Sequence, residues 1–338
     1  VQVMKGIPVD QFMATMGFFS ASLGMSCEDC HMADDRDWSG FAADNARKWR
    51  ARQMFQMMQK INADNFGGRQ MVTCYTCHRG SARPRATADL ADLYGSVPMD
   101  VNAIIEQAPN APKADEILDK YIQAIGGAAQ AARLISFVAK GTYEGYDTLS
   151  AKVPVDIFAN SPNQMTTVVH TQNGDSVTAF DGRNGWIAAA DKLMRVLPLD
   201  GGDLEGAKMD ASLSFPARIK QDFQWRTGFP SVTIDDQPVE VIQNAARGAT
   251  GAKLYFDSES GLLLRQVRFV DTAVGVIPTQ IDYSDYRDVA GVKVPFKRVI
   301  TWTDGRSTIE LAQVQPNVRI EATQFAKPAA PKAKAAAR

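Results

Sequence analysis

Met71-Val72-Thr73-Cys74-Tyr75-Thr76-Cys77-His78-Arg79-Gly80 is the stretch that decides how this chain is read. It repeats the pattern of an earlier one, Met25-Ser26-Cys27-Glu28-Asp29-Cys30-His31. Each contains C-x-x-C-H, the attachment signature of c-type haem. Two cysteines three apart add their thiols across the vinyl groups of one haem, and the next histidine is placed to ligate the iron. The chain holds only four cysteines and three histidines, and these motifs use all of the cysteines and two of the histidines. A disulfide framework would scatter its cysteines, and a thioredoxin-like C-x-x-C needs no histidine behind it. One Cys₄ zinc site built from Cys27, Cys30, Cys74 and Cys77 is the rival, and it leaves both histidines unexplained. The expected cofactors are two covalently bound c-type haems, held by Cys27 with Cys30 and by Cys74 with Cys77. His31 and His78 are the expected iron ligands.

A length of 338 residues gives room for two domains, and 45% hydrophobic with 22% charged residues is an ordinary globular composition. The formal charge of −1 gives no reason to expect nucleic acid as a partner. No run approaches the roughly 18 apolar residues of a membrane span. The sequence begins at Val1 without a charged n-region and apolar h-region, so any secretory signal is expected to have been removed. Export is expected because c-type haem is attached outside the bacterial cytoplasmic membrane. With every cysteine committed, none is left for an N-terminal lipid.

Residues 1–85 read as helix, haem loop, helix, haem loop. Pro8 and Asp10 start the first helix, Phe12, Met16, Phe19 and Leu23 share one face, and Gly24 ends it. The second helix is expected from Phe41 to Asn62, with a stripe of Ala51, Met54, Met58 and Ile61 and with Met57 at its edge. Asn65, Gly67 and Gly68 break it before Cys74. A haem iron that only carries electrons needs two axial ligands, and only His170 remains once His31 and His78 are spent. Two His/His haems are therefore impossible within one chain, and methionine is the next usual ligand. Met16 before the first motif and Met54 before the second are the candidates. Methionine on an apolar stripe is more often core filler, and Met13, Met57 and Met58 compete by proximity.

This N-terminal part resembles the cytochrome subunit of purple-bacterial photosynthetic reaction centres, in which methionine-bearing helices precede C-x-x-C-H loops. The matching residues are 10–16, 51–57, Ile61-Asn62 and 72–80, about the first 85 residues in all. The resemblance implies Met16, at the end of F-x-x-x-M, as ligand of the first haem, and Met54, the earlier methionine of M-x-x-M, as ligand of the second. The family carries four haems in two pairs, whereas this chain has one pair. The family also places a histidine between the second methionine and its motif, for a haem of the other pair, and residues 62–70 contain none.

Residues 86–113 read as a Pro- and Ala-rich linker, and Arg79, Arg83 and Arg85 before it as solvated surface or haem propionate partners. From Ala114 the pattern changes to a helix over Asp115–Ile125, then strands such as Met165–His170, Leu262–Val270 and Phe296–Trp302. Turn signals at 172–175, 181–185, 257–261, 289–291 and 303–306 separate them. A second packed helix is expected over Leu213–Gln224. His170 lies on a strand with no second catalytic partner and reads as structural. Residues 114–326 resemble the curved half-barrel of outer-membrane lipoprotein carriers, through strand order and phrases such as Phe180-Asp181-Gly182-Arg183-Asn184-Gly185-Trp186. Such a concave apolar face would hold a lipid or a partner segment, or serve structure and docking alone. Residues 327–338, rich in Ala, Pro and Lys, read as a disordered tail.

The expected fold class is α+β: a small helical dihaem domain (1–85), then a larger antiparallel β domain of curved-sheet or half-barrel type with packed helices. The expected function is that of an exported dihaem cytochrome carrying electrons, not an enzyme, with the β domain fixing where it sits. Its partners would be redox proteins, with a membrane complex or copies of itself as candidates. The alternatives are a peroxidase-like haem enzyme, a lipid or ligand carrier with sensory haems, and placement in an extracellular cytochrome polymer or membrane redox complex. The expected location is periplasmic or extracellular.

Overall fold

The computed structural model describes residues 1–32, 38–88, 90, 111–190, 194–227, 232–246 and 249–331. Most of the expected linker at 86–113, and residues 332–338 of the expected tail, lie outside the described residues. The fold is α+β, in two compact units. The first comprises Val1–Asp100 together with Val270–Ile277, and the second Val101–Phe269 with Pro278–Arg338.

In the first unit, α1 (Val9–Leu23) begins after Pro8 and stops at Gly24, whose φ of 61° is the left-handed cap that glycine adopts without cost. A short turn, α2 (Cys27–Cys30), follows. The long helix α3 (Ala46–Phe66) starts five residues later than the apolar pattern suggests, because Asn45 caps it by accepting a bond from Lys48 N at 3.0 Å. The residues before it form a 3₁₀ turn, Trp38–Ala42. A second short turn, α4 (Cys74–His78), ends at Arg79 in the left-handed region.

Both long helices bury a face rotated from the expected stripe. In α1 the buried residues are Thr15, Gly17, Phe18 and Ser22, and in α3 they are Phe55, Met58 and Asn62. Phe12, Met16, Phe19, Leu23, Ala51, Met54 and Ile61 are only half-buried. The core of the unit gathers Met4, Phe18, Phe55 and Met58 with Val274 and Ile277, residues from the far end of the sequence.

The second unit is built on an antiparallel, open, curved sheet with fourteen strands among the described residues. Two meanders make it. One runs β1 (Ser136–Gly145), β2 (Val153–Asn160), β3 (Gln164–Thr171), β4 (Gly174–Phe180), β5 (Gly185–Ala189) and β6 (Val196–Pro198). The other holds β7 (Trp225–Thr227), β8 (Val232–Ile234), β9 (Gln237–Ala246), β10 (Ala249–Asp257), β11 (Leu263–Thr272), β12 (Gly275–Val289), β13 (Val292–Trp302) and β14 (Gly305–Pro316). They join where the first and last strands pair, Tyr143 opposite Ile309. Strand alternation sets one buried face: along β2, Val153, Val155, Ile157 and Ala159 are buried while Pro154, Asp156, Phe158 and Asn160 are not.

Helices fill that face. Ile117, Leu118 and Tyr121 of α5 (Ala114–Ala124) and Ile219 of α8 (Ile219–Asp222) sit in one cluster with Ile157, Ile242 and Leu254 of the sheet. Here α6 is the short helix Ala128–Arg133 and α7 is Gly201–Ser214. The helix expected over Leu213–Gln224 is present in shortened form, as a 3₁₀ turn at Pro216–Arg218 that runs into α8. The helix before it, α7, is set by its Asp200 cap, which accepts from Gly201 N at 2.8 Å. Its glycine-rich start hides it from propensity. After α5, Gly126 passes against the turn between β12 and β13, where a Cβ would come 2.1 Å from Gly291 O, so only glycine fits.

Candidate haem-binding site

The same local device opens both motifs. Ser26, just before Cys27, exchanges bonds with Asp29 of the motif: Ser26 N donates to Asp29 Oδ2 at 2.9 Å, and Ser26 Oγ lies 3.0 Å from it. Thr73, just before Cys74, does the same with Thr76 at 3.0 and 3.3 Å. These are capping boxes. They wind C-x-x-C into one helical turn, so the two sulfurs of each motif lie about 60° apart on one side. Two thiols fixed on one side suit a single planar partner.

The two ends of α3 hold the motifs. At its start Asn45 Nδ2 donates to Cys30 O at 2.8 Å. In its last turns Asn62, 4% exposed, donates to Val72 O at 2.7 Å and accepts from Met71 N at 3.1 Å and Val72 N at 2.9 Å. Around the first motif, Arg47 donates to the Asp29 carbonyl, and Lys48 Nζ to Phe41 O and Ala43 O at 2.6 and 2.7 Å. The motifs are also tied to each other. Gly80 N donates to Ser22 O at 2.9 Å, and Gly24 lies so close that a Cβ there would come 2.4 Å from Gly80 O.

The two histidines are set in the same way. His31 Nδ1 bonds Phe41 O at 3.1 Å, and its ring stacks on Phe41 with centroids 4.6 Å apart. His78 Nδ1 bonds Ser81 O at 2.9 Å. A carbonyl oxygen can only accept, so each Nδ1 carries the proton and each Nε2 carries the lone pair that a metal ligand needs. Burial holds the His31 imidazole below its ordinary 6.5, with Lys48 adding to it against the bond from Phe41, and this favours the neutral ring that binds iron.

The methionines divide by environment. Met58, 5% exposed, belongs to the apolar core, and Met13 and Met57 point outward at 57% and 47% exposure. Met16 and Met54 are half-buried, the first against the edge of the core cluster. Together with Phe12, Phe19 and Leu23 on α1, and Ala51 and Ile61 on α3, they leave an incompletely covered apolar stripe on each helix. A thioether there can meet a planar apolar group without leaving a packed core.

Among the described residues no three His, Cys, Asp or Glu side chains converge as metal ligands, so the four cysteines do not assemble the Cys₄ site. Burial pushes the free Cys74 thiol up to about 11, the opposite of a thiolate poised for zinc or disulfide exchange. The donors fit haem: a cysteine pair and an Nε2 donor in each motif, with one half-buried thioether on each of the two long helices. Asn45, Phe41 and the 270–277 turn escaped the sequence reading. Only Asn45 had a legible signal, a helix-capping residue before Ala46. Of the arginines considered as propionate partners, Arg79, Arg83 and Arg85 are exposed. His170 bridges Asp175 and Asp156 at 2.9 and 3.1 Å on three adjacent strands.

Residues 1–97 match the family model of the photosynthetic reaction centre cytochrome C subunit. No curated protein matches the chain in sequence. Solved structures similar to it include a LolA superfamily protein from Nitrosomonas europaea, at 13% identity and TM-score 0.41, covering 64% of this chain and 99% of the other. A protein domain from Vibrio parahaemolyticus, titled as outer membrane lipoprotein-sorting, has 10% identity and TM-score 0.41, covering 62% and 94%. A DUF1329 family protein from Desulfovibrio piger has 8% identity and TM-score 0.43, covering 64% and 98%. No helix among the described residues is long and apolar enough to cross a membrane.

Proposed function

We propose that the chain is an exported dihaem c-type cytochrome that carries electrons between redox proteins, its β-rich unit serving docking or assembly. The observation that carries this reading is the matched pair of imidazoles. In each motif Nδ1 is committed to a backbone carbonyl, by residues that have no other reason to present a bare Nε2. Cys27 and Cys30 would hold one haem, with His31 and Met16 on its iron. Cys74 and Cys77 would hold the other, with His78 and Met54. Bound haem supplies a one-electron ferric/ferrous couple. The chain's residues fix the rings, exclude water from one side and set the potential through the thioether, which favours ferrous iron more than a second imidazole does.

Since His31 with Met16 and His78 with Met54 would hold the two irons, no position would be left for a substrate, and no enzymatic step is assigned. The partners proposed are redox proteins, with a membrane complex or further copies of this chain as candidate settings, in the periplasm or outside the cell. The packing of the second unit favours docking over carriage, because α5 and α8 occupy the sheet face that a lipid would need. Intact mass tests the cofactor assignment directly. The purified protein should exceed its polypeptide by two haems, resistant to acid–acetone extraction, and a mass fitting bare chain plus zinc would overturn it.

A further inference from the structure

Val270–Ile277 belongs to the first unit although it lies nearly two hundred residues beyond the second motif. Its turn is braced by its own Thr272, whose Oγ1 donates to Gly275 O at 2.6 Å and accepts from Val274 N at 3.3 Å. Val274, fully buried, and Ile277, 5% exposed, enter the cluster with Phe18, Phe55 and Met58 that Val72 and Cys74 also touch. Gln70 Nε2 donates to Thr272 O at 3.0 Å. Gly275 lies so close that a Cβ there would come 2.8 Å from the Phe18 ring and 3.1 Å from the Thr73 methyl group. Thr73 is the cap that winds Cys74–His78, and Gln70 begins the approach to it.

The described hydrogen bond from the turn to the haem-motif region runs to Gln70, on the approach to the second motif. The first motif is held by Asn45, Arg47, Lys48 and Phe41, and none of the described hydrogen bonds to it comes from the 270–277 turn. We propose that the 270–277 turn is a positioning element of the second haem motif: it fixes residues 70–73, and through them the presentation of Cys74, Cys77 and His78. A segment nearly two hundred residues further along the chain would thereby govern one haem of the two. This inference rests on the haem reading above and adds an element to that site.

The test uses the full-length protein with two substitutions. Gly275→Val drives a branched side chain into Phe18 and Thr73 at a φ of 152° that suits glycine, and Gln70→Ala removes only the bond to Thr272. In haem-free protein, amide exchange across 71–78 should quicken about tenfold in Gly275→Val, with 26–31 unchanged. In haem-loaded protein, one of two reduction waves should shift or vanish, and Gln70→Ala should show the smaller shift of the same wave. Unchanged exchange and both waves unchanged in a folded Gly275→Val protein would overturn the inference, as would equal loss at both motifs. A wild-type protein without haem would instead sink the reading of function, while the exchange result would still decide the role of the turn.

Discussion

Met54 and Met58 stand one turn apart on α3 and are separated by what surrounds them. Met58 fills the core, so Met58→Ala should cost about 2–5 kcal/mol of stability through the cavity it leaves, while the methionine-to-iron charge-transfer band of the loaded protein survives. Met54→Leu keeps the volume, should cost under about 1.5 kcal/mol, and should abolish that band for one haem. The reverse pattern would move the ligand by one turn. His170 makes a different residue-scale prediction. Burial pulls its pKa down, but bonds to Asp175 and Asp156 outweigh this and leave it above the ordinary 6.5, with Lys140 facing Asp156 at 3.9 Å. A raised folded pKa means stabilisation fully present below pH 6.5 and lost as the pH rises through the folded value. The Tm difference between wild type and His170→Gln, followed by β-sheet circular dichroism, should therefore shrink from acid to alkaline pH. A difference that stays flat would refute the charged bridge.

At the scale of elements, α3 acts as a spacer between two clamps, Asn45 at one end and Asn62 near the other. Asn62→Ala leaves the buried amide of Val72 and the carbonyl of the same residue without their partners, at a cost of about 1–3 kcal/mol. Asn62→Asp keeps the acceptor for the two amides and loses the donor, so it should fall between wild type and alanine in thermal unfolding. If alanine and wild type melt together, the clamp is not structural. Much of this level was legible. Pro8 and Gly24 bounded α1, and the turn signals at 172–175, 181–185, 257–261 and 289–291 each separate two strands. The start of α3 was placed too early, because apolar residues before Asn45 continue the helical pattern and outweighed the capping signal that Asn45 itself carries. The face of each helix was also misjudged. An apolar stripe shows that something covers it, and Phe12, Met16, Phe19 and Leu23 gave no sign that the core lies on the Phe18 side.

For the whole molecule, coordination separates an electron carrier from a haem enzyme. A peroxidase keeps an axial position open and directs chemistry with polar distal groups. On the function proposed above, Met16 and Met54 would join His31 and His78 as the iron ligands, leaving no open position. The ferrous protein should bind carbon monoxide slowly or not at all, and the ferric protein should show negligible peroxidase turnover. Fast stoichiometric binding at either haem would favour the enzyme reading.

The sequence by itself determined the motifs and the pattern: two C-x-x-C-H motifs, an inventory with only one histidine, His170, beyond them, and the alternation and turns of an antiparallel sheet. These are local patterns, in which the residues that must cooperate lie within one helical turn or one hairpin, so spacing is enough to read them. Only the tertiary structure decided which methionines stay out of the core, which carbonyls fix the imidazole protons, and that Val274 and Ile277 complete the core of the first unit. Apolar burial is non-directional, and a hydrophobic side chain carries no record of its partner. A valine in a distant turn reads as any other valine until the chain has folded around it.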